Sequence, residues 1–284
     1  QVRYKKQFSP RWSMQVQAKY NHGWNKYEDE GNEYADGLYR AVHRQDEYYL
    51  SATALYRPWN ALSLSLAQDG AINKLRSNLP DCPFPTRYTS LTAFNARYRQ
   101  GMVTATGSLI YTNITERVKV GDAPADFQRL APSFTVSLQP WQEQLFFLRL
   151  MYKSTFRTPT FNDLYYYRLG NRSLRPEKAN EYNIGITWSK PFVSFLNYFS
   201  VTIDGYYNDV TDKIVAFPTT YAWKMANYGK VRATGIDATL AAATSLSKNI
   251  TLVISGGYTF QKAIDLTDPT SKSYKDQLPY TPEH

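Results

Sequence analysis

Residues 156–181 read FRTPTFNDLYYYRLGNRSLRPEKANE and lie between two stretches in which polar and apolar residues alternate. An alternation with a period of two residues is typical of half-buried β-strands. The stretch before the segment covers 145–156, and the stretch after it has apolar residues at every second position: Tyr182, Ile184, Ile186 and Trp188. The segment is much longer than a hairpin turn, so it predicts a long loop between two strands.

The same alternation continues along most of the chain. It predicts further strands near 12–20, 47–57, 61–68, 86–99, 102–113, 133–139, 199–205, 226–243 and 249–262. Short connections are expected at 9–11, 57–60, 99–101, 140–143, 190–191 and 245–248. Long ones are expected at 21–46, 69–85, 114–130, 157–178, 208–225 and 264–277.

The strict alternation of short and long connections predicts the fold class. An antiparallel transmembrane β-barrel has short periplasmic turns and long extracellular loops. Trp12, Trp59 and Trp141 lie beside short turns, where a periplasmic belt of aromatic residues is expected. A soluble β-sandwich is the alternative, but its connections do not usually segregate by length in this way. The sequence therefore favours an all-β transmembrane barrel.

Composition excludes some classes of protein. The mean hydropathy is −0.51, and no stretch approaches the roughly 18 apolar residues of a membrane helix. Barrel strands keep a low average hydropathy, and the 15% aromatic content suits them. The net charge of +9 comes from dispersed basic residues without a nucleic-acid motif, so we expect no nucleic-acid partner. An anionic ligand, or the anionic lipopolysaccharide and lipid of an outer membrane, suits this charge equally well.

Residues 156–181 also resemble a signature of TonB-dependent outer-membrane receptors. The matching residues are Phe156, Arg157, Pro159, Phe161, Asp163, Leu164, Tyr165, Gly170, Asn171, Leu174, Pro176 and Glu177. A second match is the segment Asn227-Tyr228-Gly229 followed by Gly235-Ile236-Asp237, where the glycines permit a bend as the chain re-enters the sheet. Residues 278–284 resemble the start of a later strand.

The resemblance implies the architecture and the function. It implies a 22-stranded barrel of which residues 1–284 form a partial barrel domain, with the plug, the TonB box and the terminal strands outside this chain. It also implies a receptor in the outer membrane of a Gram-negative bacterium, which binds a scarce nutrient chelate and imports it with energy from TonB. TonB would act through the missing N-terminal region. A ferric siderophore is the first choice of ligand, with cobalamin or haem as alternatives.

Two clusters of aromatic and basic residues are candidates for ligand binding in the loops. They comprise Tyr165, Tyr166, Tyr167, Arg168 and Arg172 in the first loop, and Tyr221, Trp223 and Lys224 in the second. Five basic against two acidic residues within 157–178 favour an anionic ligand, and tyrosines offer flat faces and hydroxyl groups for a chelate. Alternatively, these tyrosines form an interfacial belt and the arginines contact lipid phosphates.

Nothing in the sequence indicates an enzyme, a cofactor or a metal site. The three histidines are His22, His43 and His284, and none has the spacing of a metal or nucleophile motif. The first two fall in the acidic segment 21–46, which predicts a solvated loop with exposed histidines. Haem receptors of the resembled family usually carry a histidine between the two halves of the signature, and this chain has none there. A non-transporting barrel, either an adhesin or an enzyme, and a carbohydrate-binding sandwich remain as functional alternatives.

Overall fold

The computed structural model describes residues 1–31, 38–79, 82–141, 145–166, 169–191, 196–218, 223–247, 249–278 and 281–284. These described residues form twelve strands and one short helix. The strands are β1 Val2–Gln7, β2 Trp12–Glu30, β3 Leu38–Trp59, β4 Leu62–Ser77, β5 Thr86–Gln100, β6 Val103–Arg117, β7 Phe127–Leu138, β8 Leu145–Arg157, β9 Glu177–Pro191, β10 Leu196–Pro218, β11 Trp223–Ser247 and β12 Ile250–Asp265; the helix is α1 Phe161–Tyr165.

All strands belong to one antiparallel sheet in which each pairs with the next along the chain, from β1 to β12. This meander confirms the predicted all-β antiparallel architecture. The number of strands in a complete barrel stays a prediction. Among the described residues, no helix is long and apolar enough to cross a membrane.

The two faces of the sheet differ in chemistry. One face, called the apolar face below, carries exposed hydrophobic side chains from neighbouring strands; among them are Met14, Leu50, Leu66, Phe94, Leu109, Phe134, Leu150, Ile184, Ile203 and Ile236. Aromatic pairs bound this face at both ends. Trp12 stacks on Tyr56 at 4.6 Å near the short turns, and Tyr20 lies 5.1 Å from Tyr48 nearer the long loops. An apolar band between two aromatic belts is the surface that a transmembrane barrel presents to lipid.

The opposite face, called the polar face, satisfies its groups with hydrogen bonds and ion pairs. The Arg149 guanidinium lies 3.0 Å from the Asp204 carboxylate, and it also donates to the Thr187 hydroxyl at 2.7 Å. An added Cβ at Gly185, the residue opposite Arg149, would overlap the Asp204 carboxylate. The glycine therefore makes room for the ion pair.

Three predicted loops were partly wrong, because the strands run well beyond the length that a membrane requires. β2 has 19 residues and β3 has 22, so most of the predicted loop 21–46 is a paired hairpin. Likewise β10 and β11 extend through most of 208–225, and β4 through the first half of 69–85. About 9–11 residues of tilted strand cross a bilayer, so these strands project past it on the loop side. In this projecting part no lipid covers the outer face of the strands, so the regular apolar alternation that marks a membrane-spanning strand in the sequence is lost.

Candidate functional site

The loop between β8 and β9 folds over the polar face and is built around α1. The helix begins with a capping box, in which the Thr160 hydroxyl accepts from the Asp163 backbone N–H at 3.2 Å and the Asp163 carboxylate accepts from the Thr160 N–H at 2.8 Å. Such reciprocal bonds satisfy backbone donors that a helix start leaves free. Phe161 and Leu164 are buried beneath the helix, and Pro159 just before it is also buried.

An ion-pair network ties this helix to the strands on either side. Arg157, the last residue of β8, donates to Asp163 at 2.9 Å and lies 3.6 Å from the Glu177 carboxylate. Glu177 opens β9 and also accepts from the backbone N–H of Ile214 in β10 at 3.1 Å. One arginine therefore joins both ends of the long loop, and one glutamate joins the loop to a further strand.

A small apolar cluster holds the loop down on β10 and β11. Leu164 and Leu174 from the loop pack with Ile214 and Met225, and all four are almost fully buried. The cluster is the main hydrophobic core among the described residues, since the rest of the sheet has its apolar side chains on an exposed face. Burial of such side chains contributes about 1.5–3 kcal/mol each, enough to order the loop.

The remaining signature residues make close backbone contacts. The Asn171 amide donates to the Met225 carbonyl at 3.0 Å, which fastens the loop to β11. An added Cβ at Gly170 would lie 2.7 Å from the backbone of Leu164, so the chain passes too closely for any side chain. The same close approach explains Gly229 against Thr267, and Gly235 against Phe260 and Tyr206.

Tyr165 is held by a charged network on the polar face. Its hydroxyl donates to the buried Glu116 carboxylate, which also pairs with Arg87 at 2.7 Å. The Arg172 guanidinium lies over the Tyr165 ring at 5.6 Å, and the Arg87 guanidinium lies over Phe161 at 4.9 Å. Burial, with the hydrogen bond to Glu116, raises the pKa of the Tyr165 hydroxyl well above its usual range. Tyr165 and Arg172 therefore contact the loop scaffold itself.

Tyr166 instead faces a pocket, called the outer pocket below. The pocket lies between α1 and the projecting hairpin of β2 and β3, and has a volume of about 430 Å³. Its lining includes Tyr27, Tyr39, His43, Asn162 and Tyr166. The rings of His43 and Tyr166 lie 6.5 Å apart and nearly parallel, and the rings of Tyr27 and Tyr39 lie 6.1 Å apart. The polar side chains of Asn25 and Gln45 also line it, and a cavity of this size with aromatic walls and several polar groups is within the range of small-molecule sites.

His43 is the residue of this lining whose ordinary pKa lies near neutral pH. It lies in β3, five positions beyond the aromatic belt at Tyr48, on the loop side of the apolar band. Burial lowers the pKa of its imidazole below the ordinary 6.5, so the ring is neutral at pH 7. A neutral imidazole keeps a nitrogen lone pair for hydrogen bonding or for a metal.

The residues predicted to bind the ligand lie at different places in the structure. Tyr165, Tyr166 and Arg172 lie in the folded loop as described above, whereas Tyr167, Arg168 and Tyr221 lie outside the described residues. Trp223 and Lys224 are both exposed at the start of β11. The alternation of the strand places Lys224 on the apolar side and Trp223 on the polar side, so they do not form one cluster.

The sequence analysis missed the lining residues from the hairpin of β2 and β3. It also predicted exposed histidines at His22 and His43 in a solvated loop, which was wrong about the loop, because both lie in strands, but right about the exposure of His22. His22 lies in β2 and bonds to the buried Asp46 at 2.7 Å, and His43 is half-buried in β3. The alternate residues Tyr39, Ala41 and His43, which lie on one face of β3 and all line the outer pocket, were the available signal. Among the described residues, no group of three or more histidine, cysteine and carboxylate side chains could hold a metal ion.

Comparison with known proteins finds similarity to several transporters. Over 84 residues, or 29% of this chain, the sequence is 36% identical to the vitamin B12 transporter BtuB of Vibrio vulnificus (strain YJ016), of which the match covers 13%. The fold is similar to the FrpB iron transporter of Neisseria meningitidis, with a TM-score of 0.67 and 15% identity over 94% of this chain and 42% of that one. It is also similar to the copper transporter OprC, with a TM-score of 0.75 and 15% identity over 98% of this chain and 46% of that one.

The chain spans less than half the length of the two solved transporters. At this identity the structural likeness establishes the fold alone. A family model described as "TonB dependent receptor-like, beta-barrel" matches residues 1–284, the whole chain, and confirms the resemblance of the loop signature. The chain therefore belongs to the family of TonB-dependent receptor-like β-barrels.

Proposed function

We propose that this chain is the middle and later part of the barrel of a Gram-negative outer-membrane receptor that captures a scarce nutrient chelate. Family membership supports the receptor class. The apolar face bounded by Trp12 and Tyr56 at one end and by Tyr20 and Tyr48 at the other supports insertion in a bilayer. In this proposal the aromatic belt at Trp12 lies on the periplasmic side, and the long loop with α1 lies outside the cell.

The outer pocket is the proposed capture site. The observation that carries this proposal is the nearly parallel pair of His43 and Tyr166 rings, which brings a projecting hairpin and the signature loop to one aromatic-lined cavity. No Lys or Arg lines the described part of this pocket, so the site suits a ligand that stacks rings better than a compact anion. A ferric siderophore with aromatic iron ligands has this chemistry and is the proposed cargo.

Import would follow the mechanism of the family, with no covalent step. The proposed partner is TonB, acting on a plug domain that is not in residues 1–284. Binding in the outer pocket would hold the chelate on the polar face of the sheet, which lines the barrel lumen. The polar hydrogen-bonded surface along Arg149, Thr187 and Asp204 is compatible with a hydrated path.

A second cargo is favoured by His43. Its neutral imidazole can ligate the metal of a haem or of a cobalamin, and it lies beside Tyr166, a second possible ligand. The two classes of cargo are distinguished by spectroscopy. Haem bound through His43 would show a shift in its Soret absorbance that is lost in His43→Ala, whereas stacking of a siderophore would tolerate that change better.

The experiment for the proposed function is uptake by cells. A strain lacking the full-length receptor, and the same strain with the receptor restored, would be given ⁵⁵Fe-labelled catecholate siderophores, ⁵⁵Fe-haem and ⁵⁷Co-cobalamin. Receptor-dependent uptake of one cargo, abolished by a protonophore, is expected. Equal uptake of all three cargoes with and without the receptor contradicts the proposal and favours a non-transporting barrel.

A further inference from the structure

A cluster of basic residues lies on the apolar face of the sheet, immediately beyond the aromatic belt on the loop side. Arg44, Lys74 and Arg76 are exposed there and form what is called the cationic cluster below. Arg44 and Arg76 are directly opposed across β3 and β4, and the next pair towards the belt is Asp46 with Lys74. Directly opposed residues share a face, and the following opposed pair is Tyr48 with Ile72.

A buried carboxylate organises this cluster. Asp46 is 3% exposed and accepts from the Tyr20 hydroxyl at 2.9 Å, from His22 at 2.7 Å and from Arg76 at 2.6 Å. The hydrogen bonds from His22, Arg76 and Tyr20 hold the pKa of the Asp46 carboxyl well below its usual range. Since Asp46 compensates one positive charge, the cluster of three cations keeps an excess of two.

Two of the cations have no counter-ion in the described part of the chain. Neither Arg44 nor Lys74 pairs with a described carboxylate, and Lys74 lies 5.8 Å from the ring of Tyr48. Like charges directly opposite each other in a sheet destabilise it, and the Asp46 carboxylate bonded to Arg76 offsets only one of the three cations here. The cluster therefore presents a site for an external anion such as phosphate, which arginine binds with two parallel hydrogen bonds.

An apolar groove begins next to the cluster, on its side away from the long loops. It has a volume of about 900 Å³, and its lining on the same face includes Ala18, Tyr20, Tyr48, Leu50, Gly70 and Ile72. Tyr20 and Tyr48 border both features, since the Tyr20 hydroxyl reaches Asp46 and the Tyr48 ring lies under Lys74. A side chain at Gly70 would meet nothing within 4 Å, so the glycine leaves the groove open.

We infer that the cationic cluster and the apolar groove together bind a phosphorylated glycolipid, the lipid A part of lipopolysaccharide in the outer leaflet. The phosphates lie on Arg44, Lys74 and Arg76, and an acyl chain lies along Gly70. The order of the two features fits this occupant: the charges are on the loop side of the aromatic belt, and the groove is inside the apolar band. This inference rests on the sheet geometry, on family membership and on the orientation in the proposed function, which places the long loops outside the cell; it does not depend on which nutrient is bound.

The proposed phosphate site is tested by measuring how tightly labelled bisphosphorylated lipid A binds to the full-length receptor in detergent. In Arg44→Gln and in Lys74→Gln, the affinity for bisphosphorylated lipid A is expected to fall about fivefold for each charge removed. Dephosphorylated lipid A is expected to bind both variants as it binds the unmodified receptor. Neither change removes a partner of Asp46, so the buried carboxylate stays paired. Lys178→Gln is the matched control, because Lys178 is also exposed on the apolar face and lies at the loop end of β9, away from the cationic cluster. An equal loss in Lys178→Gln, or no loss in either variant, overturns the inference.

The groove is tested separately with Gly70→Leu, which fills it. Gly107→Leu is the control, because Gly107 lies on the same face, is equally open and is outside the groove. Only Gly70→Leu is expected to weaken lipid A binding, by about tenfold for the lost chain contact. Equal effects of Gly70→Leu and Gly107→Leu on lipid A binding overturn the proposed position of the acyl chain. Vesicles of phosphatidylglycerol and free inorganic phosphate serve as competitors, and displacement of lipid A by either at equal phosphate concentration overturns the choice of lipid A.

Discussion

The side-chain amide of Asn227 makes both backbone hydrogen bonds of Arg175, 52 residues earlier in the chain. Its oxygen accepts from the Arg175 N–H at 2.8 Å, and its nitrogen donates to the Arg175 carbonyl at 2.9 Å. The same nitrogen reaches the Asp212 carbonyl at 2.7 Å. The two separate signature segments thus form a single structural unit, in which a residue of β11 replaces the strand partner that the loop lacks.

Replacement of Asn227 by alanine is expected to loosen the loop between β8 and β9. It leaves backbone groups of Arg175 and Asp212 without partners, at a cost of roughly 1–3 kcal/mol for each group that water does not reach. Limited proteolysis of intact cells at residues 158–176 measures the effect, and faster cleavage is expected. Asn95→Ala is the control, because Asn95 donates only one long bond of 3.3 Å, to Ser65. Equal cleavage rates in both variants contradict this role of Asn227.

Gly170 gives a second test of the scaffold. An alanine there places a methyl group against the backbone of Leu164, and overpacking of this kind costs about 1–3 kcal/mol. The loop is expected to become more sensitive to protease, and cargo affinity to fall with it. Gly256→Ala, where an added Cβ meets nothing within 4 Å, should behave as the unmodified receptor. A protease-resistant Gly170→Ala receptor would refute the close packing.

The adjacent tyrosines Tyr165 and Tyr166 are expected to respond differently to substitution. Tyr165→Phe removes the hydroxyl bonded to buried Glu116, so we expect a loss of loop stability of roughly 1–3 kcal/mol with little direct effect on cargo contacts. Tyr166→Phe keeps the ring at the outer pocket and should leave the loop stability unchanged. Protease protection and cargo affinity, measured on both variants, separate the two roles. A greater loss of protease protection in Tyr166→Phe would reverse the assignment.

The pKa of His43 predicts how stability depends on pH. Because burial lowers its pKa below 6.5, the unfolded chain takes up the proton first as the pH falls. The contribution of His43 to stability is therefore complete above about pH 6.5 and declines as the pH falls through the window below it. The heat-induced unfolding of the barrel, compared at pH 7.5 and pH 5.0, should decrease less in His43→Gln than in the unmodified receptor. An identical decrease in both would exclude a role for this histidine.

Much of the sheet was predictable because its membrane-spanning strands bury one face only. The alternation at Trp12, Met14 and Tyr20 follows from lipid on one side and polar contacts on the other, and the structure confirms those strands. The projecting hairpins were not predictable from alternation, because no lipid covers their outer face and an apolar residue is therefore not required at every second position. His43 was consequently placed in a loop, although it lies in β3.

The signature residues were recognisable from the sequence, but their structural roles depend on contacts between distant segments of the chain. Asn171 meets Met225, and Glu177 meets Ile214, at separations that no local pattern reveals. The lining of the outer pocket combines Tyr166, which lies in the loop that carries the signature, with His43, which lies in a strand more than a hundred residues earlier. Only the folded sheet brings those two rings together.

The most direct test of the central claim is a calorimetric titration of the full-length receptor, purified in detergent, with the cargo found in the uptake experiment. Tyr166→Ala is expected to lower the affinity about three- to tenfold through lost ring contact, and His43→Ala is expected to lower it further if the cargo is ligated by the imidazole. Tyr182→Ala is the control, because that tyrosine has similar exposure, 48% against 45%, but lies on the apolar face. Unchanged affinity in Tyr166→Ala and His43→Ala, or an equal loss in Tyr182→Ala, would contradict capture of the cargo in the outer pocket.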